Sequence, residues 1–200
     1  MKENIKKEIL QVSRELFNIY GYHEVTMRMI ADKCNIGVGN LTYYYKKKID
    51  IIYALLKDGE PTLSASNVST IDDLYHFIYE MVNGVRKNHF FFSSSQMQSL
   101  DESFFEANKQ NVQKLHNAFI SNLIELQKAN KLSENFNEEE MEAYVSLCML
   151  SHISWANEEG KNSTYTNLNF NQFVYYQLIL LKPYLSEKGL IEFENISLAA

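Results

Sequence analysis

Two hundred residues, 46% of them apolar and with only two prolines and seven glycines, make one or two helix-rich domains with a sizeable core and exclude a disordered or collagen-like chain. Two cysteines make no disulfide framework, no apolar run approaches the ~18 residues of a membrane span, and the charged start MKENIKKEIL lacks the apolar stretch of a signal peptide, so a reduced, cytoplasmic chain is expected. The net charge of −6 is uneven: residues 1–60 carry 10 Lys and Arg against 8 Asp and Glu, and residues 61–200 carry 9 against 17, which suits a protein presenting one end to a polyanion.

The first predicted helix runs from Asn4 to Tyr20, with Ile5, Ile9, Val12, Leu16, Phe17, Ile19 and Tyr20 at helical spacing and Gly21 as its stop. Thr26 reads as the N-cap of a second helix, Met27 to Cys34. Asn35-Ile36-Gly37 is a turn, Val38 to Tyr44 a third short helix, and Lys48 or Ile49 opens a fourth that ends near Lys57. Gly59-Glu60-Pro61 and the polar stretch Thr62 to Thr70 form the best boundary, dividing a head (1–58) from a body (59–200). Thr70 caps the next helix, favoured by Asp72 and Asp73. Helices follow over Phe90 to Leu100, Glu102 to Asn130, Glu138 to about Glu158 and Phe170 to about Leu185, with loops at Leu132 to Asn137 and Glu159 to Asn169. The fold class is therefore all-α, with a three-helix helix-turn-helix head, a larger helical body and about nine helices.

Two short helices joined by a tight turn and ending in YYYKKK have the layout of a DNA reader. Such a reader must place short or planar polar groups on base edges while its flanks hold phosphate. Gly37 and Gly39 allow close backbone approach, and Val38 opens the third helix. Asn40 can pair with adenine. Thr42, Tyr43 and Tyr44 can donate hydroxyls to phosphate, and Arg28 can reach a guanine or a phosphate. Lys46, Lys47 and Lys48 offer a phosphate clamp, and Leu41 points inward onto Ile30 and Ala31. Taken singly, the tyrosine run is as well explained by packing and the lysine run by a solvated face; their spacing behind a capped helix and a turn favours DNA.

Over Ile5 to about Leu56 the chain resembles the tetracycline-repressor-like (TetR/AcrR) family of transcription regulators. The resemblance rests on LFNIYGYHEVTM, Ile30-Ala31, Gly39, Leu41, Tyr44-Tyr45 and Lys48. It implies that Thr26 and Lys48 bind phosphate, that Arg28 reads a base, and that Tyr44 faces DNA while Tyr45 packs inward. Tyr43 and Asn40 then fall at variable and small polar positions of the DNA surface. Gly37-Val38 replaces the family's usual Ser-Lys or Ser-Pro, and Thr42 stands where a phosphate-binding Tyr is usual, so base preference does not carry over.

In the body, Glu138–Glu158 and Phe170–Leu185 are apolar nearly all round, which calls for burial on all sides. The resemblance implies that these helices pair with those of a second copy, and Met141, Val145, Met149, Phe173, Val174, Leu178 and Leu181 are the expected homodimer residues. A two-fold dimer would set two heads in successive major grooves of a near-palindrome. The middle of the body is rich in aromatics and Met, including Tyr75, Phe77, Met81, Phe90, Phe91, Met97 and Phe104. In the family this region holds a small effector. Tyr79, Phe92, Phe105 and Phe119 are the expected apolar lining, with His116, Cys148 and His152 as polar anchors, each of which also reads as an ordinary core residue.

The expected function is a ligand-responsive regulator, a repressor that leaves a near-palindromic operator when a small apolar or aromatic effector binds the body, moves the fourth helix and takes the heads out of register. The alternative is a helical DNA-binding or nucleoid-organising protein without operator specificity or effector. HExxH, GxSxG and P-loop motifs are absent and Cys148-x-x-x-His152 supplies only two ligand types, so neither an enzyme nor a metal or other cofactor is expected.

Overall fold

A computed structural model describes residues 2–58, 68–92, 102–158 and 168–196. Among them are nine α-helices: α1 (Lys2–Tyr20), α2 (Met27–Lys33), α3 (Val38–Tyr44), α4 (Lys48–Asp58), α5 (Ile71–Lys87), α6 (Glu102–Lys128), α7 (Glu138–Glu158), α8 (Phe170–Leu181) and α9 (Glu187–Glu194). Two 3-10 turns stand at His89–Phe91 and Lys182–Tyr184. No strand occurs among the described residues; the all-α expectation holds. Residues 59–67, residues 93–100 of the expected helix from Phe90 (Met97 among them) and loop residues 159–167 lie outside the described residues.

The chain divides into two compact units, one from Met1–Glu60 with Lys87–Asn111, the other from Pro61–Arg86 with Val112–Ala200. In the first, α1 stops where Gly21 takes the left-handed conformation (φ 79) and its N–H bonds Phe17 O at 2.9 Å. Ile9, Phe17, Ile30, Ala31, Leu41, Ile51, Ile52 and Leu55 form the core of this unit, joined by Phe90, Phe91 and Phe104. Asn18 secures the second piece of chain. Its side-chain amide donates to Lys87 O (2.8 Å) and its carbonyl oxygen accepts from Phe90 N–H (3.2 Å), while Arg14 bonds Asn88. A division at residue 58 thus leaves out a segment that packs with the head.

The second unit has its own core, including Leu74, Phe77, Ile78, Val82, Phe119, Leu123 and Leu126. Helix α5 begins at a reciprocal cap, with Asp73 N–H on Thr70 Oγ1 and Thr70 N–H on Asp73 Oδ2, as its sequence indicated. Helix α7 buries Met141, Tyr144, Val145, Cys148, His152 and Trp155, and α8 buries Phe173, Val174, Gln177, Leu178 and Leu181. Of the expected dimer residues, Met141, Val145, Phe173, Val174, Leu178 and Leu181 lie in the chain's own core, and Met149 is half-buried and packs against it.

Helix α8 ends sooner than expected, because Pro183 sits in a 3-10 turn, and α9 follows as a helix that the apolar spacing does not predict. Ser186 caps it, its hydroxyl accepting from Gly189 N–H (3.1 Å). The loop after α6 clasps this region: Ser133 N–H bonds Tyr184 O (2.8 Å), Ser186 N–H bonds Lys131 O (2.9 Å), and the Lys131 ammonium pairs with Glu192. The approach is so close that a Cβ on Gly189 would lie 2.1 Å from Lys131 O. Gly189→Ala should therefore lower stability by about 1–3 kcal/mol in thermal or urea unfolding, as overpacking does. Gly84→Ala, on an exposed stretch of α5 where a Cβ meets nothing within 4 Å, should raise it by up to about 1 kcal/mol.

Candidate nucleic-acid interface

Helix α3 has seven residues, and only Leu41 is buried. Such a helix has no stability of its own, and Leu41 holds it in the cluster that contains Ile30 and Ala31. The turn before it is fixed by Asn35 at φ 53 and by Ile36 N–H on Ala31 O (3.0 Å). Gly37, Val38, Asn40 and Tyr43 all face outward, Tyr43 at 70% exposure. A Cβ at Gly37 or Gly39 would meet nothing, so the surface at the start of α3 is open.

Thr26 caps α2, its Oγ1 accepting from Met29 N–H at 3.2 Å. A hydroxyl used in this way keeps its own proton to donate. Arg28, in the first turn of α2, is exposed and has Asp32 at 3.8 Å, an i,i+4 pair too exposed and too long to hold it. Lys46 and Lys47 are exposed. Tyr44 and Tyr45 are both half-buried against the head core, and the Tyr43 and Tyr44 rings meet edge-on at 5.2 Å. Thr42 donates its hydroxyl to Gly39 O at 3.0 Å, so its proton faces the helix backbone.

Lys48 is placed differently from its lysine neighbours. Its Nζ donates to Tyr22 O (2.5 Å), Val25 O (2.6 Å) and His23 O (3.3 Å), and it stands 4.2 Å from the centroid of the Tyr22 ring. An ammonium has three protons, and here each has a carbonyl. Burial lowers its pKa, partly offset by Glu24. The side chain ties the start of α4 to the turn that precedes α2.

The residues expected to hold an effector divide between the units. Phe92 packs on the first unit's core and Phe105, exposed at 56%, also belongs to that unit; Tyr79, His116, Phe119, Cys148 and His152 belong to the second. Tyr79 packs edge-on against Phe170 at 4.8 Å, and Phe119 against Phe77 at 5.3 Å. His116 Nε2 lies 3.1 Å from Glu142, and its Nδ1 is buried without a hydrogen-bond partner.

Cys148 and His152 join a buried polar line. His152 Nε2–H donates to Gln177 Oε1 (2.8 Å) and Tyr144 OH donates to Gln177 O (3.0 Å), with the Cys148 thiol beside Tyr144. Burial pushes the thiol up to about 12, raises the Tyr144 phenol well above its usual value, and lowers His152 to about 4 against the Gln177 bond. All are neutral at pH 7, as a low-dielectric interior demands. The Gln177 amide nitrogen, also buried, has no hydrogen-bond partner. Sequence reasoning overlooked Gln177, although an amide between Tyr175-Tyr176 and Leu178-Ile179 interrupts the apolar run of that helix.

Residues 9–55 match the model of the tetR family of bacterial regulatory proteins. An HTH-type transcriptional regulator of Staphylococcus aureus (strain USA300) is 30% identical over 81 residues, a match spanning 40% of this chain and 43% of that relative. The fold is similar to a TetR-family transcriptional regulator from Marinobacter aquaeolei (22% identity, TM-score 0.75, 95% of this chain and 94% of that one). It is also similar to a ketosteroid transcriptional regulator of Mycobacterium tuberculosis (12%, TM-score 0.65, 91% and 95%).

The depressed His152 pKa has a pH consequence. Unfolded, the imidazole takes a proton below its ordinary 6.5; folded, only below about 4. The unfolded state therefore binds more protons between those values, and stability falls as the pH is lowered from 6.5 to 4 by about 3 kcal/mol from this group. Urea unfolding across that range should show a flatter pH dependence for His152→Gln than for the wild type.

Proposed function

We propose that this chain, a regulator of the TetR/AcrR family by its matched head and its fold, binds a near-palindromic operator as a homodimer and represses transcription until a small effector releases it. The observation that carries the DNA-binding part is the head itself. One side chain of α3 anchors it, while Gly37, Val38, Asn40 and Tyr43 face out beside the capped start of α2 and Arg28. This is an arrangement for base edges flanked by phosphate contacts.

The dimer is supported by an apolar surface left over after the core is made. Leu147 (66% exposed) and Leu150 (64%) on α7, with Tyr176, Ile179 and Leu180 on α8, face away from the second unit's core. The two helices are bonded to each other on their inner sides through Tyr144, His152 and Gln177. Large apolar side chains grouped in this way call for a partner, and a second copy supplies an identical stripe about a two-fold axis.

The effector reading rests on the polar line inside an aromatic core. Its groups are all neutral, and Gln177 presents an amide N–H that nothing accepts. An uncharged, largely apolar compound with a hydrogen-bond acceptor suits that environment.

Fluorescence anisotropy on the chain's own upstream intergenic DNA against a scrambled duplex tests the regulator. Preference of ~1000-fold or more with a steep salt slope is expected; equal, weak binding to both would favour a nucleoid-type protein. Light scattering on the Leu150→Glu, Leu180→Glu double variant tests the dimer: a monomer with unchanged helicity and weakened operator binding is expected, whereas an unaltered dimer would place the interface elsewhere.

A further inference from the structure

Within the first unit, α1 and α3 flank a recess of about 720 Å3, open to solvent and lined by Glu3, Lys6, Tyr43 and Tyr44. The helix-turn-helix reading does not use it, since Lys6 and Glu3 stand some twenty residues before α2. A helix seated in a major groove meets the sugar–phosphate backbone at its ends, and Tyr43 and Tyr44 are the end of α3. Lys6 is exposed and brings an ammonium on a flexible stem to those two rings. Lys48, by contrast, directs its ammonium to Tyr22, His23 and Val25 carbonyls. Taking it to a phosphate would strip two partly buried carbonyls, Tyr22 O and Val25 O, and the exposed His23 O of their donor.

We propose that this recess seats a phosphate of the DNA backbone, with Lys6 as its cationic ligand, and that Lys48 is a positioning residue that holds α4 and the turn before α2 in place. The proposal rests on the head being a DNA reader. Glu3 shares the recess and repels a phosphate, so it and Lys6 act with opposite sign.

The experiment compares the wild type with Lys6→Gln, Glu3→Gln and Lys48→Met by anisotropy over a salt series. The probe is a duplex selected from a random-sequence pool by the wild-type chain, with thermal unfolding measured alongside. A phosphate contact adds about 0.9 to the slope of log K against log salt. A homodimer loses one such contact from each of its two heads, so Lys6→Gln should lower the slope by about 1.8 and weaken selected and scrambled duplexes by the same factor. Glu3→Gln should tighten binding without lowering the slope. Lys48→Met should lower the unfolding midpoint and weaken binding with the slope unchanged. A Lys6→Gln slope equal to wild type overturns the phosphate site. A drop of about 1.8 for Lys48→Met at unchanged stability overturns the positioning role. If the pool yields no duplex that the wild type binds in a salt-dependent way, the DNA reading itself falls, an outcome distinct from both.

Discussion

The head depends on keeping a seven-residue helix in place with one buried side chain. Leu41 is the only residue of α3 inside the core. Each further buried residue would be one fewer facing outward, so anchoring and reading compete for the same short helix. The fold settles this by fixing the surroundings of α3 instead. Asn35 takes a left-handed conformation that sets the angle to α2, Thr26 caps α2, and Lys48 binds three carbonyls ahead of it. A helix too short to be stable alone is held by a rigid frame, and its outer face is left to chemistry.

The second unit meets the opposite problem, too much apolar surface. Helices α7 and α8 have apolar residues on every side, and only one stripe of each fits the core. The inner stripe carries Tyr144, Cys148, His152 and Gln177 among hydrophobic neighbours. A charge there would be severely penalised, so burial drives the imidazole and thiol to their neutral forms. The line is thus polar without being charged. Its Gln177 amide proton lacks an acceptor, as do the buried Asn122 amide and Tyr75 hydroxyl atoms a partner. Unpaired groups of this kind cost about 1–3 kcal/mol each.

What the sequence made legible follows the same division. Short-range signals read well: Gly21 as a stop, Thr26 and Thr70 as caps, the Asn35 turn and the bounds of α3 all depend on residues within a few positions of one another. Choices between equivalent faces did not. On a helix apolar all round, spacing cannot say whether Val145 or Leu147 is inside, and the stripe chosen for the dimer proved to be the chain's own core. Helix α9 lies beyond the last expected element, although Ser186 stands as its cap. Gly189 is there because Lys131 O passes too close for any side chain, a constraint set by a segment 58 positions away.

Long-range packing also determines what the DNA-binding unit consists of. The family match stops at residue 55, yet the core that holds α3 also contains Phe90, Phe91 and Phe104. Asn18 treats the backbone at Lys87 and Phe90 as a strand would treat its neighbour, giving one hydrogen bond and taking another. The Tyr53 hydroxyl on α4 is bonded to Ser103, and its ring meets Phe104 edge-on. These contacts join α1 and α4 to a segment that no helix-turn-helix pattern includes. The unit is therefore discontinuous in sequence, and a substitution at Phe90 or Phe104 acts on its core through Phe17 on α1 and Tyr53 on α4.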